Sequence, residues 1–342
     1  MTQAGYLAAL IPEQYGGVGL GVMEASVILE EINRSGGNAA QCHAQMYTMG
    51  TVLRHGSDDQ KARWLPGIAD GSIRLQAFGV TEPGAGSDTT HLQTMATWDG
   101  ERYRISGQKI FISRVQHSDY LLLLARTTPV NQVRRRSEGL SVFMVNLHEA
   151  GEGLTVSPID TMMNHETNAL YFDGVPVPRE NLIGEEGEGF RYILDGMNAE
   201  RILIAGECLG DGYFFMDRST QYARERMVFE RPIGQNQGIQ FPLARAYAHL
   251  RAADLMRNQA AQKFDAGERV GEEANLAKLL ASEASWEAAN AAVQTHGGYG
   301  FAVEYDIERK FRETRLFQVA PISTNLILAY LGEHVLGLPR SY

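Results

Sequence analysis

"VTEPGAGSDTT", residues 80–90, is the densest local signal in the chain. Pro83, Gly84 and Gly86 let the backbone come close to another molecule, and Thr81, Ser87 and Asp88 offer it polar contacts. The stretch is not a dinucleotide fingerprint. The G-x-G-x-x-G spacing is absent, and a strand-like run follows where a Rossmann helix should begin. Taken alone, it reads either as a plain polar hairpin loop or as a loop that holds a ligand.

Outward from this stretch, the apolar period changes twice. Before about Arg74 it is helical, as in "EASVILEEINRS", with Gly-rich links. Between about Leu75 and Gly184 it becomes short runs broken by turn residues: "LQAFGV", "TMATW", "RYRISG", "KIFIS", "YLLLLAR", "LSVFMVNL" and "NALYFDGV". Asp99-Gly100 between two of these runs is a hairpin signal. From about Glu188 long helices return, the third of them alanine-rich with a Gly pair at its end. The expectation is an α+β chain in three parts. Residues 1–74 form a helical domain, 75–187 a middle β domain built as a mostly antiparallel sheet or barrel, and 188–342 a four-helix bundle.

The bulk numbers narrow the function. The chain has 342 residues, 44% hydrophobic and 21% charged, an ordinary globular composition with no run of eighteen apolar residues. A formal charge of −10 with dispersed acidic residues argues against nucleic acid and membrane as partners. The one basic cluster, Arg134 to Arg136, reads as a solvated loop. Cys42 and Cys208 form no CxxC pair, no leader pattern is legible at the N-terminus, and a cytoplasmic location fits best. Nine histidines without HxxxH or HExxH spacing give no metal site; His43, His165 and His296 read as ordinary polar or helix-end residues. There is no GxSxG for a serine nucleophile.

One carboxylate stands out. In "GMNAERILIAGECLG", residues 196–210, Gly196, Met197, Leu203 and Ile204 fall within about 60° of Glu200 around the helix, so its carboxylate points out of an apolar stripe. Such a group is either paired with a buried arginine, Arg201 or Arg226, or desolvated into a general base. Glu207, two turns on, is a competitor on nearly the same face.

The order of helices, sheet and bundle, with "VTEPGAGSD", "GQKIFIS", "ERMVF", "QTHGGYG" and a C-terminal Ser/Thr stretch, resembles the acyl-CoA dehydrogenases from about Tyr6 to Gly337. Family chains begin with one or two further helices, so the resemblance implies a partial N-terminal domain. It also implies FAD as cofactor. Val80, Thr81 and Ser87 would lie along the flavin, with Ser87 also near the CoA thioester arm. Phe111 would cover the ring and Ser113 bond near its N5. Arg226 and Phe229 match the arm that reaches the FAD of a neighbouring subunit, followed by Glu230 where the family usually has glycine. Gln294, Gly297 and Gly298 match the turn against the diphosphate, and Ser323 and Asn325 match residues near the ADP portion.

Many members carry their base in a C-terminal "Y-E-G-T" segment; here the stretch is "VAPIST", with Pro321 at the Glu position. A subgroup including isovaleryl-CoA and long-chain acyl-CoA dehydrogenases keeps the base on a bundle helix in "D-L-E-R", which "N-A-E-R" resembles. That places Glu200 on the base and Arg201 beside it, with Asn198 replacing an aspartate; both neighbours are expected to touch substrate. Pro321 also stands where the family's backbone N–H holds the thioester oxygen, and proline has none. Either Ile322 N–H serves, or the oxygen is held differently, or the chemistry is another. The resemblance implies oxidation of an acyl-CoA to the trans-2-enoyl-CoA, electron-transfer flavoprotein as acceptor, and a homotetramer built from dimers. The alternatives are a same-fold enoyl-CoA reductase, oxidase or desulfinase, and a non-catalytic CoA-binding subunit.

Overall fold

The computed structural model describes residues 2–163 and 166–341. Helices α1 (Val22–Arg34), α2 (Ala40–His55) and α3 (Asp58–Asp70) come first. Eight strands follow: β1 (Ala77–Gly79), β2 (Met95–Trp98), β3 (Tyr103–Ser113), β4 (Tyr120–Arg126), β5 (Leu140–Asn146), β6 (Leu154–Ile159), β7 (Thr167–Val177) and β8 (Leu182–Ile183). Helices α4 (Gly189–Glu225), α5 (Gln237–Asp265), α6 (Gly271–His296), α7 (Ile307–Thr314) and α8 (Thr324–Tyr330) complete the chain, with a short hairpin, β9 (Met227–Val228) and β10 (Arg231–Pro232), between α4 and α5. The chain divides into two compact units: Met1–Leu20 with Ala40–Met197, and Gly21–Ala39 with Asn198–Tyr342.

In the first unit the strands make one mixed sheet in the order β6-β7-β3-β2-β4-β5-β8, with β1 also pairing β4. The barrel alternative is not realised. The path of pairing is open, and its end strand β6 carries Pro158, which cannot donate to a further ladder. β4 sits centrally because Leu121 to Ala125 are completely buried, a continuous apolar run that only a strand covered on both faces can use. The Asp99-Gly100 hairpin forms between β2 and β3 as its sequence requires. α3 starts on a capping box, Ser57 with Gln60, and stops at Gly71.

In the second unit α1 lies against α4. A Cβ on Gly206 would come within 2.4 Å of Ser26 O, and one on Gly210 within 2.2 Å of Glu30 O, so only glycine permits this approach. The buried Arg257 of α5 locks the same helix, donating to Glu30 at 2.7 Å and Ser26 at 2.9 Å. The expected helices all form, and the charged segment "IERKFRET", which the apolar pattern does not reveal, adds α7.

Candidate active site

β3 organises the site residues of the first unit. Its pairing with β7 slips between Lys109 and Ile112, and inside that bulge Phe111 adopts φ 60° with its ring 61% exposed. A large aromatic residue in this region of backbone space is held there at a cost, a pattern typical of functional positions. Just before it, Lys109 is fully buried, and its ammonium donates to Val80 O and to a Glu82 carboxylate oxygen, both at 2.9 Å. Glu82 also accepts the backbone N–H groups of Gln93 at 2.7 Å and Thr94 at 3.0 Å, and Ile110 N–H donates to Thr81 O at 2.9 Å.

The start of the 80–90 loop, residues 80–82, is therefore stitched to β3, which physically couples "TEPGAGSD" to "GQK". Burial pulls the Lys109 ammonium down to about 8 against the pull of Glu82. Burial pushes the Glu82 carboxyl up, but Lys109 and its hydrogen bonds outweigh it and hold the group below its ordinary range.

Beyond Glu82 the loop faces outward. Pro83, Gly84, Gly86 and Ser87 are exposed, and a Cβ on Gly84 or Gly86 would meet nothing within 4 Å. The chain's own packing does not require glycine at either place. Asp88 is engaged within the loop, its carboxylate accepting from Thr90 N at 3.1 Å and pairing with His91. Val80 is buried, and Ser113 ends β3 opposite Thr167.

In the second unit, two groups of site residues separate along α4. Near its start Glu200 is 6% exposed, and its neighbour Arg201 donates to Asn198 Oδ1 at 3.0 Å. Burial holds the Arg201 guanidinium below its ordinary range, opposed by the charge of Glu200. Lys278 of α6 also feels Glu200. The pairing of Glu200 with Arg226 is ruled out. Twenty-six helical residues place that arginine roughly 39 Å further along, just past the end of α4. Glu207 is buried at 2% on the same side.

At that far end, Arg226, Gly297 and Gly298 line one cavity of about 520 Å³, together with Tyr222, His296 and Tyr299. Arg226 lies 5.6 Å from the centre of the Tyr299 ring, and Tyr222 stacks on His296 at 4.4 Å. His296 is a helix-end residue, its Nδ1 2.8 Å from Ala292 O. A Cβ on Gly297 or Gly298 would meet nothing within 4 Å, and Gln294 beside them is exposed. Phe229, 93% exposed, and Glu230 form the two-residue tip of the β9–β10 hairpin with φ 51° and 64°. Ser323 caps α8, accepting from Leu326 N at 3.4 Å, and Asn325 is exposed on its first turn.

His43 is buried against the edge of Tyr47, while His165 lies outside the described residues. Among the described residues, no group of three or more His, Cys, Asp or Glu is placed to hold a metal, and no helix is long and apolar enough to cross a membrane.

Sequence reading missed three buried lysines among the described residues, Lys109, Lys278 and Lys310. The signal for Lys109 was available: it stands on an inward position of β3, in register with Tyr103 and Ile105 across the first slip. Lys278 likewise lies on the alanine face of α6, between Ala274, Ala277 and Ala281.

A fold of helices, mixed sheet and helices with these motifs is that of a class of oxidoreductases whose members are flavoproteins. The chain belongs to the acyl-CoA dehydrogenase family: the family's N-terminal, middle and C-terminal domain models match residues 1–72, 77–175 and 187–329. It is 36% identical to acyl-CoA dehydrogenase fadE12 of Mycobacterium bovis over 341 residues, covering 99% of this chain and 87% of that one. It is 34% identical to a 3-(aryl)acrylate reductase of Clostridium sporogenes, over 93% of this chain and 84% of the other. The structure of butyryl-CoA dehydrogenase from Megasphaera elsdenii superposes with a TM-score of 0.92 at 29% identity, covering 98% and 88% of the two chains.

Proposed function

We propose that this protein oxidises an acyl-CoA thioester to the trans-2-enoyl-CoA, with the Glu200 carboxylate taking the α-proton. The observation that carries this reading is the setting of Glu200: a buried carboxylate on a rigid helix, with Arg201 and Lys278 in its field. A thioester α-proton is weakly acidic, so its acceptor must sit within hydrogen-bond reach and away from bulk water. Asn198 orients Arg201, and the pair is assigned to substrate.

FAD, when bound, supplies the acceptor for the β-hydride. Three features of this chain fit that cofactor. The outward face of the 80–87 loop leaves open space over its glycines. Phe111 presents an exposed ring from a costly backbone conformation, with Ser113 two residues on. The cavity beside Arg226 and Gly297 is lined by two glycines, by the Tyr222 and Tyr299 rings and by one arginine, and Gln294, Ser323 and Asn325 complete the assignment. The exposed Phe229 tip supports an arm that reaches a second subunit, and so a homotetramer. Electron-transfer flavoprotein as acceptor and a cytoplasmic location complete the reading; two buried cysteines outside any disulfide suit a reducing compartment.

The test is an anaerobic titration of the visible spectrum with a panel of acyl-CoA thioesters. At least one saturated thioester should bleach the flavin absorbance, and Glu200→Gln should retain FAD while slowing bleaching by at least about 10²–10⁴-fold. Bleaching at the wild-type rate by Glu200→Gln overturns the assignment. The similarity to a 3-(aryl)acrylate reductase favours, as a second reading, reduction of an enoyl thioester by the same groups. Turnover only in that direction would establish it.

A further inference from the structure

We propose that Lys278 is a positioning residue for the thioester oxygen, acting through the turn that carries Pro321. This rests on the reading of Glu200 as the base. Lys278 has no exposed surface, and its ammonium donates to Phe317 O and, at 2.7 Å, to Ile322 O. Those two carbonyls bracket Pro321. A buried ammonium is costly, and at an alanine-lined helix position an apolar side chain would fill the space without that cost. What only the cation supplies is a rigid tie to both ends of one turn.

The turn lies in the neighbourhood of the base. Lys278 feels the charge of Glu200, and Arg201 and Cys208 of α4 are the other titratable groups acting on it. As the α-proton leaves, the thioester oxygen gains charge and needs a donor fixed in advance. Pro321 has no N–H to give. Ile322, buried and held through its own carbonyl by Lys278, carries the adjoining N–H. Lys278 holds the carbonyls on both sides of the turn, and Ile322 N–H, in the peptide group between them, is the donor it positions.

The test uses the FAD-loaded enzyme and Lys278→Met, which is one atom shorter, stays unbranched and removes every donor. Turnover (kcat) should fall by up to roughly 10²–10³-fold, the cost of one lost oxyanion donor, with FAD content unchanged. A second readout is independent of turnover. Bound acetoacetyl-CoA ionises to an enolate with its own ultraviolet absorbance, and its apparent pKa should rise by about one to two units in the variant. If Lys278→Met fails to retain FAD, Lys278→Gln, which keeps one amide donor, is measured in the same way and should fall between the two. Wild-type kcat and wild-type enolate ionisation in the variant that folds overturn the proposal. Glu200→Gln separates the two readings: it should abolish turnover without raising the enolate pKa. Full turnover by Glu200→Gln sinks the base, whereas wild-type behaviour of the Lys278 variants alone sinks only the positioning role.

Discussion

The Lys109 ammonium stands 2.9 Å from both Val80 O and a Glu82 carboxylate oxygen, and neither side chain is more than 7% exposed. This buried pair fixes the loop proposed to carry the flavin to the strand proposed to cover it. Lys109→Met leaves the Glu82 charge buried with only N–H partners, and removing one member of such a pair costs about 3–5 kcal/mol. Denaturant unfolding should show that loss, together with reduced flavin per chain after purification. Glu82→Gln combined with Lys109→Met should recover part of the stability. A single variant as stable as wild type would show that the pair is not what fixes the loop.

The same lysine gives stability a pH dependence of definite sign. Burial pulls its folded-state pKa down to about 8 from 10.5. Between those values the unfolded chain holds the proton that the folded chain has released, so stability from this group rises with pH, by at most about 1.4 kcal/mol per unit. The measurement is the difference in unfolding free energy between wild type and Lys109→Met from pH 7 to 10, in which contributions common to both proteins cancel. That difference should widen above pH 8. A flat or narrowing difference contradicts the burial argument.

What the sequence revealed follows from how strongly each pattern is enforced. β4 was legible because five consecutive fully buried residues admit few other readings, and α5 and α6 because their apolar period runs over many turns. Glu200 was legible as a buried carboxylate because its apolar neighbours fix the face. Lys109 was passed over because a lysine in a strand ordinarily points to water, although it keeps the inward alternation of Tyr103 and Ile105 and the second β3–β7 slip comes only after it. The same slip sets Phe111 outward, and no propensity announces it. β6 escaped notice because "LTVSPI" is an edge strand only partly buried, with a proline that reads as a turn. That α1 belongs to the second unit depends on Gly206 and Gly210, far away in sequence.

Gly86 separates folding from cofactor binding. A Cβ there meets nothing within 4 Å, and its backbone lies outside the left-handed region. Gly86→Val should therefore leave the unfolding free energy of the flavin-free protein within about 0.5 kcal/mol of wild type. If the open space is kept for the flavin, the branched side chain will cut FAD affinity, read as a drop in flavin retained on dialysis. Undiminished affinity would place the cofactor elsewhere; a large loss of stability would mean that the glycine serves the fold.

Glu230 offers the opposite case, a residue whose substitution should help the fold. It holds φ 64° at the second position of a two-residue hairpin tip, and Phe229 before it holds 51°. A hairpin with both central residues at positive φ prefers Asn-Gly or Asp-Gly, because only small or side-chain-free residues avoid the clash of Cβ with the following carbonyl. Phe229 accepts that strain with its ring 93% exposed, which fits a contact outside its own chain; Glu230 is simply exposed. Glu230→Gly removes the clash but frees the unfolded chain, so the net gain should be about 0.5–1 kcal/mol. Thermal unfolding at matched protein and FAD concentrations measures it, since any second-subunit contact made by this arm would add to the apparent stability. A destabilised variant would mean that the Glu230 side chain makes a contact worth more than the strain it imposes, and gel filtration of the same samples would show whether that contact lies between subunits.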